Sequence, residues 1–168
     1  MSASSSPVEL VITRTLAAPR ELVYRAWTDP EHLGRWWGPK GMEIRVHRHD
    51  PRPGGLFHYA MVAPGGGVMW GRMVYLELLA PERIVWINSF SDEAGGLTRA
   101  PFAPGFPLEI RNELTLTEVE GGTLLTLRGQ PVNATDEEVA FYAGMRASMQ
   151  QGFGGTLAQL EDYLAHVG

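Results

Sequence analysis

The feature that most constrains the fold is an apolar stripe at helical spacing near the end of the chain. Thr135, with Glu138 three residues later, forms the signature of a capping box at its start. The spacing predicts one helix from about residue 135 to about residue 165. The members of the stripe are Met145, Met149, Phe153, Leu157, Leu160 and Leu164.

Three glycines, Gly152, Gly154 and Gly155, fall inside this helical pattern. Each costs a helix interior roughly 1 kcal/mol relative to alanine. We therefore predict a kink there, or a place where another backbone passes close to the helix.

A long helix with one apolar face must bury that face, and the middle of the chain offers a sheet against which it can do so. Runs rich in β-branched and aromatic residues alternate with turns of Gly and Pro. Because the turns are short, we expect the sheet to be antiparallel. The predicted strands are residues 9–16, a run that begins at Met42, and residues 56–61, 68–79, 83–90, 108–118 and 123–129.

Two short helices are predicted between the first and second strands. The first begins after Pro19 in the segment RELVYRAW. The second is EHLGRWW, with Asp29 as its N-cap and Pro30 at its first position, and Gly38-Pro39 break it. The predicted fold is α+β: a curved antiparallel sheet of about seven strands, wrapped around a long C-terminal helix, with two short helices after strand 1.

Composition narrows the class of protein. The 168 residues suit a single domain, which we place at residues 8–168, after a disordered tail at residues 1–7. The net charge of −5, without a basic run, argues against nucleic acid, and the sequence has no apolar run long enough to cross a membrane. The chain has no cysteine, which suits a reducing cytoplasm. We also expect that the protein can form a homodimer, because the sheet has exposed strand edges and the APFAPGF loop is apolar.

The order of elements and several short motifs resemble the SRPBCC superfamily, also called START-like or Bet v 1-like. Within it, the chain is similar to the branch named after the activator of the Hsp90 ATPase. The resemblance spans roughly residues 8–166, with Gly152-Phe153 where the family usually has Gly-Trp. The matching segments are Pro19, Val23–Trp27, Trp36–Pro39, Asp50–Gly55, Pro81–Val85, Gly122–Thr123 with Leu125 and Leu127, and Gly152–Phe153 with Leu157, Leu160 and Tyr163–Leu164.

The resemblance implies a helix-grip fold with a cavity between the sheet and the last helix, and strand alternation then indicates which side chains face it. Asn88, Arg72 and Asn112 are the polar candidates for orienting a ligand, since a buried polar group without a partner costs roughly 1–3 kcal/mol. Arg72 and Val74 belong to the set only if no bulge shifts the register. The predicted ligand-binding residues are Trp36, Trp37, Phe57, Tyr59, Arg72, Val74, Trp86, Asn88, Phe90, Asn112, Met145, Met149 and Phe153.

Neither a metal site nor a catalytic centre is predicted. His47 and His49 lie two apart on a strand, beside Asp50 and with His58 possibly across the turn, but alternation turns them away from Ile44 towards solvent. The chain has no cysteine nucleophile and no G-x-S-x-G motif. We therefore predict no cofactor, no metal and no catalytic residue.

Three functions remain open at this point. The first is a domain that binds a small apolar or aromatic molecule, with residues 92–107 and the Trp36-Trp37 helix end as a mobile rim. The second, implied by the resemblance, is a protein-interaction module of the Hsp90-activator kind with a link to the stress response. The third is a cyclase or aromatase type of enzyme, for which Tyr59, Arg72 and Asn88 are the only candidate groups.

Overall fold

The structure, a computed structural model, describes residues 9–37, 41–100 and 103–167. The predicted tail at residues 1–7 and the Gly38-Pro39 break lie outside these residues. The strands are β1 Leu10–Leu16, β2 Glu43–His49, β3 Leu56–Val62, β4 Val68–Leu79, β5 Arg83–Ser91, β6 Glu109–Val119 and β7 Gly122–Val132. The helices are α1 Arg20–Thr28, α2 Pro30–Trp36, α3 Asp136–Gly144 and α4 Arg146–Val167.

The seven strands form one antiparallel sheet in the order β1-β7-β6-β5-β4-β3-β2. Each strand from β2 to β6 pairs with the next one along the chain, and these connections are short turns except for residues 92–108 between β5 and β6. Helices α1 and α2 carry the chain from β1 at one edge to β2 at the other. The predicted α+β fold, with a curved antiparallel sheet and a long C-terminal helix, is confirmed.

The two helix starts that were predicted to carry caps are confirmed by their hydrogen bonds. The side chain of Asp29 accepts a hydrogen bond from the backbone N–H of Glu31, 2.9 Å away. The hydroxyl of Thr135 accepts from the backbone N–H of Glu138 at 3.1 Å, and the Glu138 carboxylate accepts from that of Thr135 at 3.0 Å. These bonds satisfy amide groups that the first helical turn leaves free.

The C-terminal helix is divided, and the prediction of one continuous helix was wrong. Helix α3 ends at Gly144, and Met145, with φ −99° and ψ 2°, separates it from α4. The glycines at positions 152, 154 and 155 lie inside α4, where an added Cβ would meet no atom within 4 Å outside the local helix backbone. The predicted close backbone contact at these glycines is therefore absent, whereas the predicted kink stays a prediction. The backbone turns at Met145, where α3 gives way to α4.

A β-bulge between Val46 and Arg48 changes the direction of the histidines on β2. His47 packs edge-on against His58 and Trp70 on the outer face of the sheet, whereas His49 contacts Phe57 and the hydroxyl of Tyr75, 3.1 Å from its Nε2. The prediction that His47 and His49 share one solvated face was wrong, since a bulge reverses the alternation of side chains. His58 is also buried rather than solvated. No group of three metal-binding side chains occurs among the described residues.

The main core lies between the inner face of the sheet and the helices α1, α2 and α4. Buried leucines of β6 and β7 meet the second half of α4, from Leu157 to Leu164, on the predicted stripe. The first half of α4 leaves the sheet less tightly covered, and a cavity lies there. Within the described ranges, no helix is both long and apolar enough to cross a membrane.

Candidate ligand-binding cavity

A cavity of about 340 Å³ lies between the inner face of β3 to β6 and the first half of α4. Its volume is at the lower end of the range typical of small-molecule sites. Met145 from the α3–α4 junction, Met149 from α4 and Phe106 from the β5–β6 connection are partly exposed, so the cavity reaches the protein surface beside them. The described residues that line it are Trp37, Tyr59, Met61, Gly71, Asn88, Ser89, Phe90, Phe106, Ile110, Asn112, Tyr142, Met145, Met149, Gly152, Phe153 and Thr156.

Eight of the thirteen predicted ligand-binding residues are among this lining. They come from the end of α2, from β3, β5 and β6, and from the α3–α4 junction and α4. Their binding of a ligand stays a prediction. They are Trp37, Tyr59, Asn88, Phe90, Asn112, Met145, Met149 and Phe153.

Arg72 and Val74 lie on the opposite face of the sheet, and the prediction that they face the cavity was wrong. In the register of β4 with β5, Met73 pairs with Asn88 and Arg72 pairs with Ser89. Because neighbouring residues of a strand alternate between faces, Met73 shares the inner face and Arg72 does not. Arg72 instead donates a hydrogen bond to the backbone oxygen of Gly95, 2.7 Å away.

Three other predicted residues, Trp36, Phe57 and Trp86, face inwards but are core residues. Trp36 is 1% exposed and donates its indole N–H to the backbone oxygen of Ala26 at 2.9 Å. Phe57 stacks beneath Tyr59, with the ring centres 4.7 Å apart, and the ring of Trp86 packs against Trp27. These rings support the wall and do not form its surface.

The predicted mobile rim of residues 92–107 is divided between the two faces of the sheet. Its first part covers the outer face, where the backbone oxygen of Asp92 lies 3.1 Å from Nε2 of His58. Of its described residues, only Phe106 lines the cavity, and Pro101 and Phe102 lie outside the described ranges. Its mobility stays a prediction.

Sequence reasoning missed Gly71, which has a clear role in the wall. A Cβ at this position would lie 2.6 Å from both Cζ and the hydroxyl oxygen of Tyr59, so the tyrosine ring rests directly on the glycine backbone. A glycine inside a strand is the sequence signal for such an approach. It also missed Ser89, Phe106, Ile110, Tyr142, Gly152 and Thr156, which only the tertiary arrangement brings to the cavity.

Tyr59 is held between Trp37, Phe57 and Gly71. A side-chain hydrogen bond joins its hydroxyl to Trp37, whose indole N–H is the donor. Burial raises the pKa of Tyr59 to about 12, although the bond from Trp37 acts in the opposite direction. Burial likewise raises the pKa of Tyr142 to about 12. Both hydroxyls are therefore neutral at physiological pH.

These pKa values predict a loss of stability in alkali. The unfolded chain ionises its tyrosines near pH 10, whereas folded Tyr59 keeps its proton to about pH 12. Above pH 10 the unfolded state therefore binds fewer protons, and the free energy of unfolding should fall as the pH rises from 10 to 12. Urea denaturation at several pH values between 10 and 12 measures this free energy. Tyr59→Phe should make the decline shallower, and an equal slope in both proteins would contradict the assignment.

The family described as "Activator of Hsp90 ATPase homolog 1-like protein" matches residues 17–165 of the chain. The chain belongs to this family. No curated protein matches it.

Solved structures of similar proteins agree with the family's fold. A protein from Mycobacterium smegmatis is 28% identical, with a TM-score of 0.74 over 92% of this chain and 89% of that one. A protein from Chromobacterium violaceum is also 28% identical, with a TM-score of 0.71 over 95% and 98%. The AHSA1 protein from Silicibacter pomeroyi, at 19% identity, shows the same fold with a TM-score of 0.72 over 95% of this chain and 99% of that one.

In this member of the Hsp90-activator-homolog family, most motif residues belong to turns and packing. The Asp50–Gly55 turn docks on β4, where the N–H of Gly54 donates to the oxygen of Tyr75 at 2.7 Å. Thr123 donates its hydroxyl to the backbone oxygen of Ala18 at 2.8 Å and is fully buried. Of the motif residues, Trp37, Gly152 and Phe153 also line the cavity.

Proposed function

We propose that this protein binds a small, largely apolar molecule in the cavity between the sheet and α4. The observation that carries the proposal is the cavity itself, whose described lining is mainly aromatic side chains, methionines and Ile110. Small-molecule sites have this character: apolar walls with a few polar groups that fix orientation. The methionines at positions 61, 145 and 149 add side chains that adapt to the shape of a ligand.

The choice of a binder over an enzyme rests on the polar groups of the wall. The described lining residues include no Asp, Glu, His, Lys or Arg. General acid–base catalysis at neutral pH needs a group whose pKa lies near the working pH, whereas the two cavity tyrosines ionise near pH 12. The described wall therefore supports binding better than proton transfer.

N-phenyl-1-naphthylamine, an uncharged dye whose fluorescence rises in apolar surroundings, is a suitable probe. We expect it to bind the purified protein with saturable fluorescence. A ligand present at about 100 times its dissociation constant should also add about 2.7 kcal/mol to the free energy of unfolding. Absence of both signals would contradict the proposal.

Met149→Arg should weaken binding of the dye by at least about tenfold, because it brings a cationic side chain to an apolar wall. Val68→Arg is the matched control, since Val68 is 50% exposed at the start of β4 and lies away from the cavity. Titrations of both variants, with circular dichroism to confirm folding, measure the effect. Equal affinity in the two variants would place the dye elsewhere.

A further inference from the structure

The polar groups of the cavity wall differ in whether they already have partners. The hydroxyl of Tyr142 donates to the backbone oxygen of Gly129 at 3.0 Å. The hydroxyl of Tyr59 is bonded to Trp37. Asn88, by contrast, carries a side-chain oxygen that is shielded from solvent and has no hydrogen-bond partner.

An amide without a partner at a cavity wall favours a ligand that supplies one. A buried acceptor left unpaired costs roughly 1–3 kcal/mol, and a ligand group that pairs with it recovers part of that cost. Rotation of the Asn88 amide about its last bond exchanges the oxygen and the NH₂ group. The amide can therefore offer the cavity an acceptor or a donor, and a hydroxyl matches both.

The lack of charged residues in the described wall argues against an ionised ligand. No described lining residue carries a charge, so an ion that enters would lose its hydration without gaining a counter-ion. Arg146 is the nearby cation, next to Met145 at the cavity mouth, and its charge acts on Tyr142. It is exposed and is not among the lining residues, so water screens it from the interior.

From these observations we infer that the ligand is an uncharged molecule with a hydroxyl group on a compact aromatic or alicyclic body, and that the Asn88 amide binds the hydroxyl. The inference rests on the proposed function, because it names the class of molecule for the same cavity. The compact body follows from the cavity volume of about 340 Å³. The rival arrangement is a carboxylate at the mouth beside Arg146, with only the apolar body inside.

Three probes of one shape separate these alternatives: naphthalene, 2-naphthol and 2-naphthoate, each used to displace N-phenyl-1-naphthylamine at neutral pH. We expect 2-naphthol to bind about threefold to tenfold more tightly than naphthalene, which corresponds to one net hydrogen bond. We expect 2-naphthoate to bind at least about tenfold more weakly than 2-naphthol.

Asn88→Leu should keep the affinity for naphthalene and reduce the preference for 2-naphthol to about one. Because the readout is a ratio within one variant, a change of cavity volume affects both probes alike, and Asn88→Ala provides a second variant. Tyr75→Phe is the matched control, since it removes a buried hydroxyl that lies outside the cavity lining and already has a partner in His49. It should leave the preference unchanged.

The outcomes separate the two claims. If naphthalene displaces the dye but 2-naphthol shows no preference in the unmodified protein, the inference fails and the proposed function stands. If 2-naphthoate binds as tightly as 2-naphthol, the inference of an uncharged hydroxyl ligand fails, and a carboxylate beside Arg146 is the better arrangement. A preference that survives Asn88→Leu, or that disappears in Tyr75→Phe, overturns the role of Asn88. If neither the dye nor any probe binds, the proposed function fails first.

Discussion

Gly55→Ala is expected to destabilise the protein by about 3 kcal/mol or more, which is a large part of the free energy of unfolding of a domain of this size. A Cβ on Gly55 would lie 1.9 Å from the backbone oxygen of Asp50 and 2.9 Å from that of Arg52. Both atoms belong to the same tight turn, so neither can move without breaking it. The backbone of Gly55 also accepts a hydrogen bond from Tyr75 at 3.0 Å, which joins the turn to β4.

Gly154→Ala is the matched control, because it makes the same chemical change in open space. An added Cβ there meets no atom within 4 Å outside the local helix backbone, and alanine in a helix interior is favoured over glycine by roughly 1 kcal/mol. Urea denaturation should therefore move the two midpoints in opposite directions. A Gly55→Ala protein as stable as the unmodified one would show that the turn adopts another conformation.

Trp36→Ala is expected to cost about 3–5 kcal/mol of stability, the range for truncating a large buried aromatic side chain. Trp36 is 1% exposed, and its ring lies 4.7 Å from that of Trp27, centre to centre. Its indole N–H donates to Ala26 and thereby ties the end of α2 to α1. Removal would leave a void between the two helices and an acceptor without its partner.

The neighbouring tryptophan should behave differently. Trp37→Phe keeps a ring in the wall but removes the N–H that bonds Tyr59, so we expect a loss of only about 1 kcal/mol. Because Trp37 lines the cavity and Trp36 does not, Trp37→Phe should change the affinity for N-phenyl-1-naphthylamine, and Trp36→Phe should not. Denaturation and dye titration on both variants test this. An affinity change confined to Trp36→Phe would reverse the assignment.

The candidate site shows where sequence reasoning stops. Strand alternation placed Tyr59 and Asn88 on the inner face, and the helical stripe placed Met149 opposite them; all three line the cavity. Alternation could not relate one strand to its neighbour, and so Arg72 was assigned to the wrong face. The register of β4 with β5 brings Met73, not Arg72, opposite Asn88.

The histidines on β2 and the last helix illustrate the same limit. A bulge between Val46 and Arg48 inserts one residue into the pairing, and its position depends on how β2 packs against β3. The division of the last helix falls at Met145, directly after Gly144, and not at the three glycines further along. Each glycine has a similar local cost in a helix, so propensity could not tell which of them would mark the break.

The sequence by itself determined the order of the strands, the antiparallel pairing of the strands that short turns join and the two capped helix starts, since each depends on residues close together in the chain. It also predicted both adjacent tryptophans as ligand-binding residues. Only the tertiary structure decided that Trp36 lies in the core and that Trp37 lines the cavity. That decision depends on which indole N–H reaches Ala26 and which ring meets Tyr59. Those contacts join residues of different elements, so a local sequence pattern does not predict them.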